Sequence, residues 1–171
     1  MKNYLIPTVV LGVICMVITA ALAVTYQITQ PIIEENNRKA AEASRAMVLS
    51  AADGFEEVSG DFPENTVDVY VATNGSGYAI TTTAKGYDSD PLKVMVGIKA
   101  DGTVEKINVL SNTETPGLGS KVSEDSFTSQ VIGMDSNMNG FEMIAGATRS
   151  SNAIKNCVLT AFEVYDMVKG E

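Results

Sequence analysis

No charged side chain occurs between positions 3 and 33 of this 171-residue chain, and residues 4–24 form a nearly continuous apolar run. A run of about twenty such residues is what a helix needs to cross the hydrocarbon of a bilayer. That stretch constrains the whole architecture, because it leaves a single later portion of the chain to build a soluble core. A cleaved signal peptide is the competing reading, favoured by Lys2 and by the Ala21-Leu22-Ala23 tripeptide. Signal h-regions are roughly 7 to 15 residues long, shorter than this run, so the stronger assignment is a retained transmembrane anchor over residues 1–30. Pro7 near the start and Pro31 just past the end are placed where a membrane helix tolerates proline or stops at it. Charge does not orient the segment: Lys2 lies on one side, while Arg38, Lys39 and Arg45 on the other are interleaved with Glu34, Glu35 and Glu42.

Residues 34–53 are rich in Ala, Glu, Arg and Met and stop at Gly54, which predicts a membrane-proximal helix within residues 31–54. Alternating or β-branched segments follow at 66–73, 78–85, 92–99 and 104–110. Asn74-Gly75-Ser76-Gly77 and Asp101-Gly102 supply turns, so consecutive antiparallel strands are expected. Residues 123–132 read as a short helix. After Ser150-Ser151-Asn152, apolar residues at Ile154, Cys157, Val158, Ala161, Phe162, Tyr165 and Val168 line one face of a closing helix over 151–169. The fold class is therefore α+β: an N-terminal transmembrane helix, then one domain over residues 55–171 with a mainly antiparallel sheet and flanking helices. A domain of that size holds one core.

Composition removes several chemistries. A net charge of −9 gives a nucleic-acid partner no electrostatic footprint. With no histidine, the chain lacks the commonest metal ligand, the usual haem axial ligand and a Ser-His nucleophile system. Two cysteines, one in the apolar run and one on the closing helix, cannot hold an iron–sulfur cluster within the chain. Cys157 reads as a small buried hydrophobe. If this protein handles electrons, a bound organic cofactor must carry them.

Two motifs stand out. The first is Ala145-Gly146-Ala147-Thr148-Arg149-Ser150-Ser151, at the entrance of the closing helix. A helix N-terminus offers unpaired N–H groups and a partial positive charge, worth up to about 2 kcal/mol to an anion, so a phosphate is well placed there. Gly146 and Ala147 are small enough to admit it closely, and Arg149, Ser150 and Ser151 could add hydrogen bonds. The plainer reading is that a Ser or Asn simply caps the helix. The second motif, about thirty residues upstream, is Glu114-Thr115-Pro116-Gly117-Leu118-Gly119. Pro-Gly suits the centre of a type II turn. Such a loop could lay glycine backbone, the Leu118 side chain and the Thr115 hydroxyl against a planar ring. A carboxylate beside an anionic reduced ring would be repulsive, so Glu114 is expected to hold the turn through backbone hydrogen bonds.

Taken together, the two motifs, the anchor and the C-terminal helix resemble the FMN-binding domain shared by the G subunit of the Rnf complex (ferredoxin:NAD oxidoreductase) and the C subunit of the sodium-pumping NADH:quinone reductase. In that family the last Thr of Ser-Gly-Ala-Thr-x-Ser/Thr carries FMN through a phosphoester, which here implies Thr148; Ala145 stands where the family usually has Ser or Asp. The resemblance implies a cofactor site of Gly146, Ala147, Thr148, Ser150 and Ser151 with Glu114, Thr115, Gly117, Leu118 and Gly119, the upstream loop lying beside the isoalloxazine. It implies no catalytic or metal-ligating residue of the chain's own. It further implies a flavin transferase for maturation, membrane partner subunits, transfer of electrons between ferredoxin and NAD coupled to Na⁺ or H⁺ movement, and a large domain outside the cytoplasm. The quinone-reductase protein is the nearer alternative, and a cofactor-free extracytoplasmic binding or scaffold domain is the alternative of a different class.

Overall fold

The computed structural model describes residues 2–170; the side chains of residues 2–7, 34 and 37, among them Lys2, Tyr4, Pro7 and Glu34 of the sequence reading, lie outside the described residues. The chain divides into two compact units, residues 1–42 and 43–171. One long helix, α1 (Lys2–Val48), makes up the first unit and ends within the second. Among the described residues it is the one helix long and apolar enough to cross a membrane. Val9, Leu11, Val13, Val17, Ile18 and Leu22 are exposed along it, the pattern of a helix whose solvent is lipid. Thr19 and Thr25 donate their hydroxyls to the carbonyls of Cys15 and Ala21, at 2.8 and 2.9 Å, which satisfies them without water. Beyond the apolar run, Arg38 pairs with Glu35 and Glu42 and Lys39 with Glu35, at the spacings that support an exposed helix by a few tenths of a kcal/mol per pair.

The separate helix expected over 34–53 is instead the end of α1. Pro31 removes one intrahelical hydrogen bond but does not stop the helix. The helix also ends earlier than Gly54, for a reason at a distance in the sequence. The N–H of Ser50 donates to Glu105 Oε1 at 2.8 Å, and its hydroxyl donates to the same oxygen at 2.6 Å, so a carboxylate on the sheet takes the donor that another helical turn would need.

In the second unit, β1 (Phe55–Glu57), β2 (Thr66–Ala72), β3 (Gly77–Ala84), β4 (Leu92–Lys99) and β5 (Val104–Ser111) pair antiparallel in sequence order. Four of these strands fall within a residue of their sequence expectation; β1 carries too few residues to show a period. Gly75 and Gly102 adopt positive φ in the turns at which Asn74-Gly75 and Asp101-Gly102 were expected. Where a helix was expected over 123–132, there are a 3₁₀ turn (Gly119–Ser123), a four-residue α2 (Asp125–Thr128) and another 3₁₀ turn (Ser129–Val131). Val122, Phe127 and Val131 all enter the core, so the irregular segment is held by the same buried contacts that a helix there would make.

The closing helix, α3 (Thr148–Val168), lies over one face of the sheet. All seven residues of its expected apolar face are buried, and all but Val168 belong to one cluster with Val69, Ile80, Val94, Val96, Ile98 and Ile107. Thr82 donates to the carbonyl of Cys157 at 3.0 Å in the middle of this interface. Burial pushes the Cys157 thiol up to about 11, so it stays a neutral small hydrophobe at physiological pH. The other face of the sheet holds a smaller cluster in which Val48 meets Ala79 and Met95. Here Gly97 is required by close approach: a Cβ would fall on the backbone carbonyl of Val48. Gly97→Ala should therefore lower stability by about 1–3 kcal/mol, read as a lower denaturation midpoint of the detergent-solubilised chain.

Candidate functional site

α3 begins at Thr148, three residues earlier than its apolar periodicity alone indicates. Its N-cap is Ala147, which has no side-chain acceptor, and no cap hydrogen bond is made. Ser150 and Ser151 lie inside the first turn and do not cap it. Ser151 donates to the Ala147 carbonyl at 3.0 Å and accepts the N–H of Ile144 at 3.1 Å. Ser150 donates to Glu114 Oε2 at 2.7 Å. The two hydroxyls read from the sequence as further phosphate donors are thus engaged within the protein and buried. Among the described residues, the backbone N–H groups of Thr148, Arg149 and Ser150 have no acceptor, and neither has the exposed hydroxyl of Thr148. Gly146, at φ +83°, turns the chain into the helix with a geometry that a side chain would strain.

The upstream loop forms the turn its sequence predicts. Leu118 N–H donates to the Thr115 carbonyl at 3.2 Å around Pro116 and Gly117, and Gly117 has φ +76°. Asn112 Oδ1 accepts the N–H of Glu114 at 3.0 Å, while its amide donates to Ser123 Oγ at 2.5 Å and fixes the loop from below. Glu114 is 4% exposed. As expected, it accepts backbone hydrogen bonds, but from another segment of the chain: the N–H groups of Tyr87 and Asp88 reach Oε1 at 2.8 and 3.3 Å. Gly119 lines the cavity, and its missing Cβ has an internal cause, since a Cβ there would lie 2.8 Å from both Glu114 Oε2 and Ser150 Oγ.

These segments enclose an open cavity of about 420 Å³, within the range of small-molecule sites. Of the sequence-derived residues, Glu114, Thr115, Leu118, Gly119, Gly146, Ala147, Thr148 and Ser150 line it, while Gly117 and Ser151 support its walls from outside the lining. Arg149, named from the sequence as a further donor, also lines it, as does Tyr87, and the guanidinium lies 5.8 Å from the Tyr87 ring centroid. Tyr87 was missed by sequence reasoning; it is 69% exposed, and Gly-Tyr just after a β-strand is the signal that could have found it. Leu118, 46% exposed, reaches toward Gly146, where a Cβ would lie 3.3 Å from Leu118 Cδ1.

The FMN-binding domain family matches residues 86–163, which contain every wall of this cavity, and the RnfG N-terminal region matches residues 1–48, ending where α1 ends. The protein is thus an N-terminal apolar helix joined to an FMN-binding domain. The G subunit of the Na⁺-translocating ferredoxin:NAD⁺ oxidoreductase complex of Acetobacterium woodii is 31% identical over 91% of this chain and 90% of its own length. Its counterpart in the proton-translocating complex of Clostridium ljungdahlii is 28% identical over 90% and 86%. The crystal structure of Shewanella oneidensis NqrC shares the fold, with a TM-score of 0.52 over 74% of each chain at 18% identity. This chain belongs to the RnfG family.

The donor set fits a phosphate-bearing flavin: three N–H groups and a free hydroxyl at one end of the cavity, with Tyr87, Leu118 and Thr115 along its walls. The two loop glycines can be separated experimentally. Gly119→Ala, which crowds Glu114 and Ser150, should cost about 1–3 kcal/mol, whereas Gly117→Ala, which has open space but positive φ, should cost about 1 kcal/mol. Chemical denaturation of the two variants checks the order.

Proposed function

We propose that this chain is the electron-relay component of an Rnf-type ion-translocating oxidoreductase, carrying FMN as a phosphoester on Thr148. The observation that carries this reading is the exposed, unpartnered Thr148 hydroxyl at the uncapped start of α3, on the wall of the cavity. Bound FMN would accept electrons in pairs and release them singly. The chain's own part is to hold and orient. The N–H groups of Thr148, Arg149 and Ser150 would receive the phosphate oxygens, and Leu118 and Thr115 would face the ring. In the attachment step the Thr148 oxygen displaces the leaving group of an activated flavin phosphate and loses its proton, so one P–O bond forms as another breaks. A flavin transferase would catalyse this exchange, the departing group of the donor leaving with the proton that Thr148 loses.

The family relation supports membership of a multi-subunit membrane complex that moves electrons between ferredoxin and NAD. We place the domain after α1 on the extracytoplasmic side, where a covalent tether prevents the cofactor from diluting away. A sodium-translocating and a proton-translocating relative are almost equally similar, so identity does not select the coupling ion. A cofactor-free scaffold would have no use for an uncapped helix opening on a cavity.

Intact-mass measurement of protein from its native membrane should show a gain equal to FMN less one water. Thr148→Val should abolish both that gain and the fluorescent band on a denaturing gel, while Thr148→Ser retains some of each. A full-strength band in Thr148→Val would refute the assignment. Ala145→Ser should label at least as well as the natural sequence, and protein made without a transferase should be colourless. For topology, protease added to intact, wall-stripped cells should remove residues beyond α1; protection until lysis would reverse the orientation.

A further inference from the structure

Glu114 is the one buried carboxylate lining the cavity, and two segments far from its own loop in sequence meet on it. Oε1 accepts the Tyr87 and Asp88 N–H groups, Oε2 accepts the Ser150 hydroxyl, and the residue's own N–H is held by Asn112. Two glycines make room for it. A Cβ at Gly86 would fall on Oε1, and one at Gly119 would crowd Oε2 and Ser150 Oγ. A carboxylate can accept from all three donors at once because both oxygens carry free lone pairs; no other side chain of this length offers that. Hydrogen bonds to a charged acceptor are also roughly twice as strong as neutral ones.

We infer that Glu114 is a positioning residue that locks the Tyr87 segment, the Thr115–Leu118 turn and the first turn of α3 into one unit, so that the ring-facing wall and the flavin-accepting hydroxyl keep a fixed separation. This rests on the reading of Thr148 as the flavin carrier. The same contact occupies the Ser150 hydroxyl, leaving Thr148 as the accessible acceptor at the helix entrance. Glu114 itself touches neither the N–H groups that would hold the phosphate nor the Thr148 hydroxyl.

Ser150→Ala tests this with the smallest change, deleting one oxygen that does not touch Tyr87 or Asp88. In full-length, flavin-free protein in detergent, amide hydrogen exchange at Tyr87 and Asp88 should nevertheless quicken at least about five-fold, because the carboxylate is released on its other side. Glu114→Gln, which keeps one accepting oxygen for Tyr87 and Asp88 but can only donate toward Ser150, replaces a charge-assisted contact by a weaker neutral one and should quicken exchange in the same direction. Both variants should take up flavin about ten-fold more slowly with the transferase present, the effect of losing one charge-assisted hydrogen bond, and the flavin they acquire should show a shifted absorption band and midpoint potential. The double variant should be no worse than Glu114→Gln alone. Unchanged exchange at Tyr87 and Asp88 in folded Ser150→Ala, or normal uptake and spectrum in Glu114→Gln, overturns the inference. Thr148→Val, run in parallel, keeps the two readings apart. Retained covalent flavin there removes the carrier assignment, whereas the exchange result is read on protein without flavin and stands or falls by itself.

Discussion

Burial of one face of α3 against the sheet determines where its first turn falls, and so the position of every group that the helix entrance brings to the cavity. The helix is held along its whole length: Ile154, Cys157, Val158 and Ala161 are fully buried, Thr82 reaches the Cys157 carbonyl, and Tyr78 and Tyr165 fix the far end by donating to the carbonyls of Val168 and Ala100. The two tyrosines also meet edge to face at 5.5 Å. A slip of one residue would turn the helix by about 100°, expose part of that face and swing Ser150 away from Glu114. The geometry at Thr148 is thus set by apolar contacts up to twenty residues away, which polar residues at the site need not supply for themselves.

The same apolar period made α3 legible in the sequence, as alternation and Gly-containing turns did for β2 to β5. What remained hidden depends on partners distant in sequence. The end of α1 at Val48 is decided by Glu105, and the crowding at Gly97 by the Val48 carbonyl. The serines after Thr148 show the limit most clearly. Local sequence offers Ser150, Ser151 and Asn152 as caps or phosphate donors, yet the first two point their hydroxyls into the protein once α3 starts three residues earlier. Tyr87 was out of reach for a related reason: it joins the site only through the fold and the Glu114 contact.

An N-cap residue such as Ser, Asn or Asp is worth about 1 kcal/mol to a helix, and this chain places Ala147 at that position beside a run of hydroxyls that could have served. Departures from a local stability rule concentrate where a site needs the group left free. A cap side chain at 147 would occupy the donors that an anion requires. Leaving them open costs the helix the stabilisation that a capping residue would give and keeps three N–H donors available at the cavity, the arrangement that helix N-termini offer to anions.

The six-residue loop motif then divides by cause. Gly117 is required by the turn, Gly119 by the room that Glu114 and Ser150 need, Glu114 by the donors gathered on it, and Pro116 by the φ it presets. Glu114 and Gly119 are thus accounted for by interior contacts, and Pro116 and Gly117 by the turn itself. Thr115 and Leu118 are left as the members whose side chains stand exposed on the cavity. A pattern that reads in the sequence as a surface for a flat ring is therefore chiefly the means of assembling the wall. Substitutions at Glu114 or Gly119 would disturb contacts inside the protein, whereas changes at the exposed Thr115 and Leu118 side chains would alter the cavity surface and leave those contacts in place.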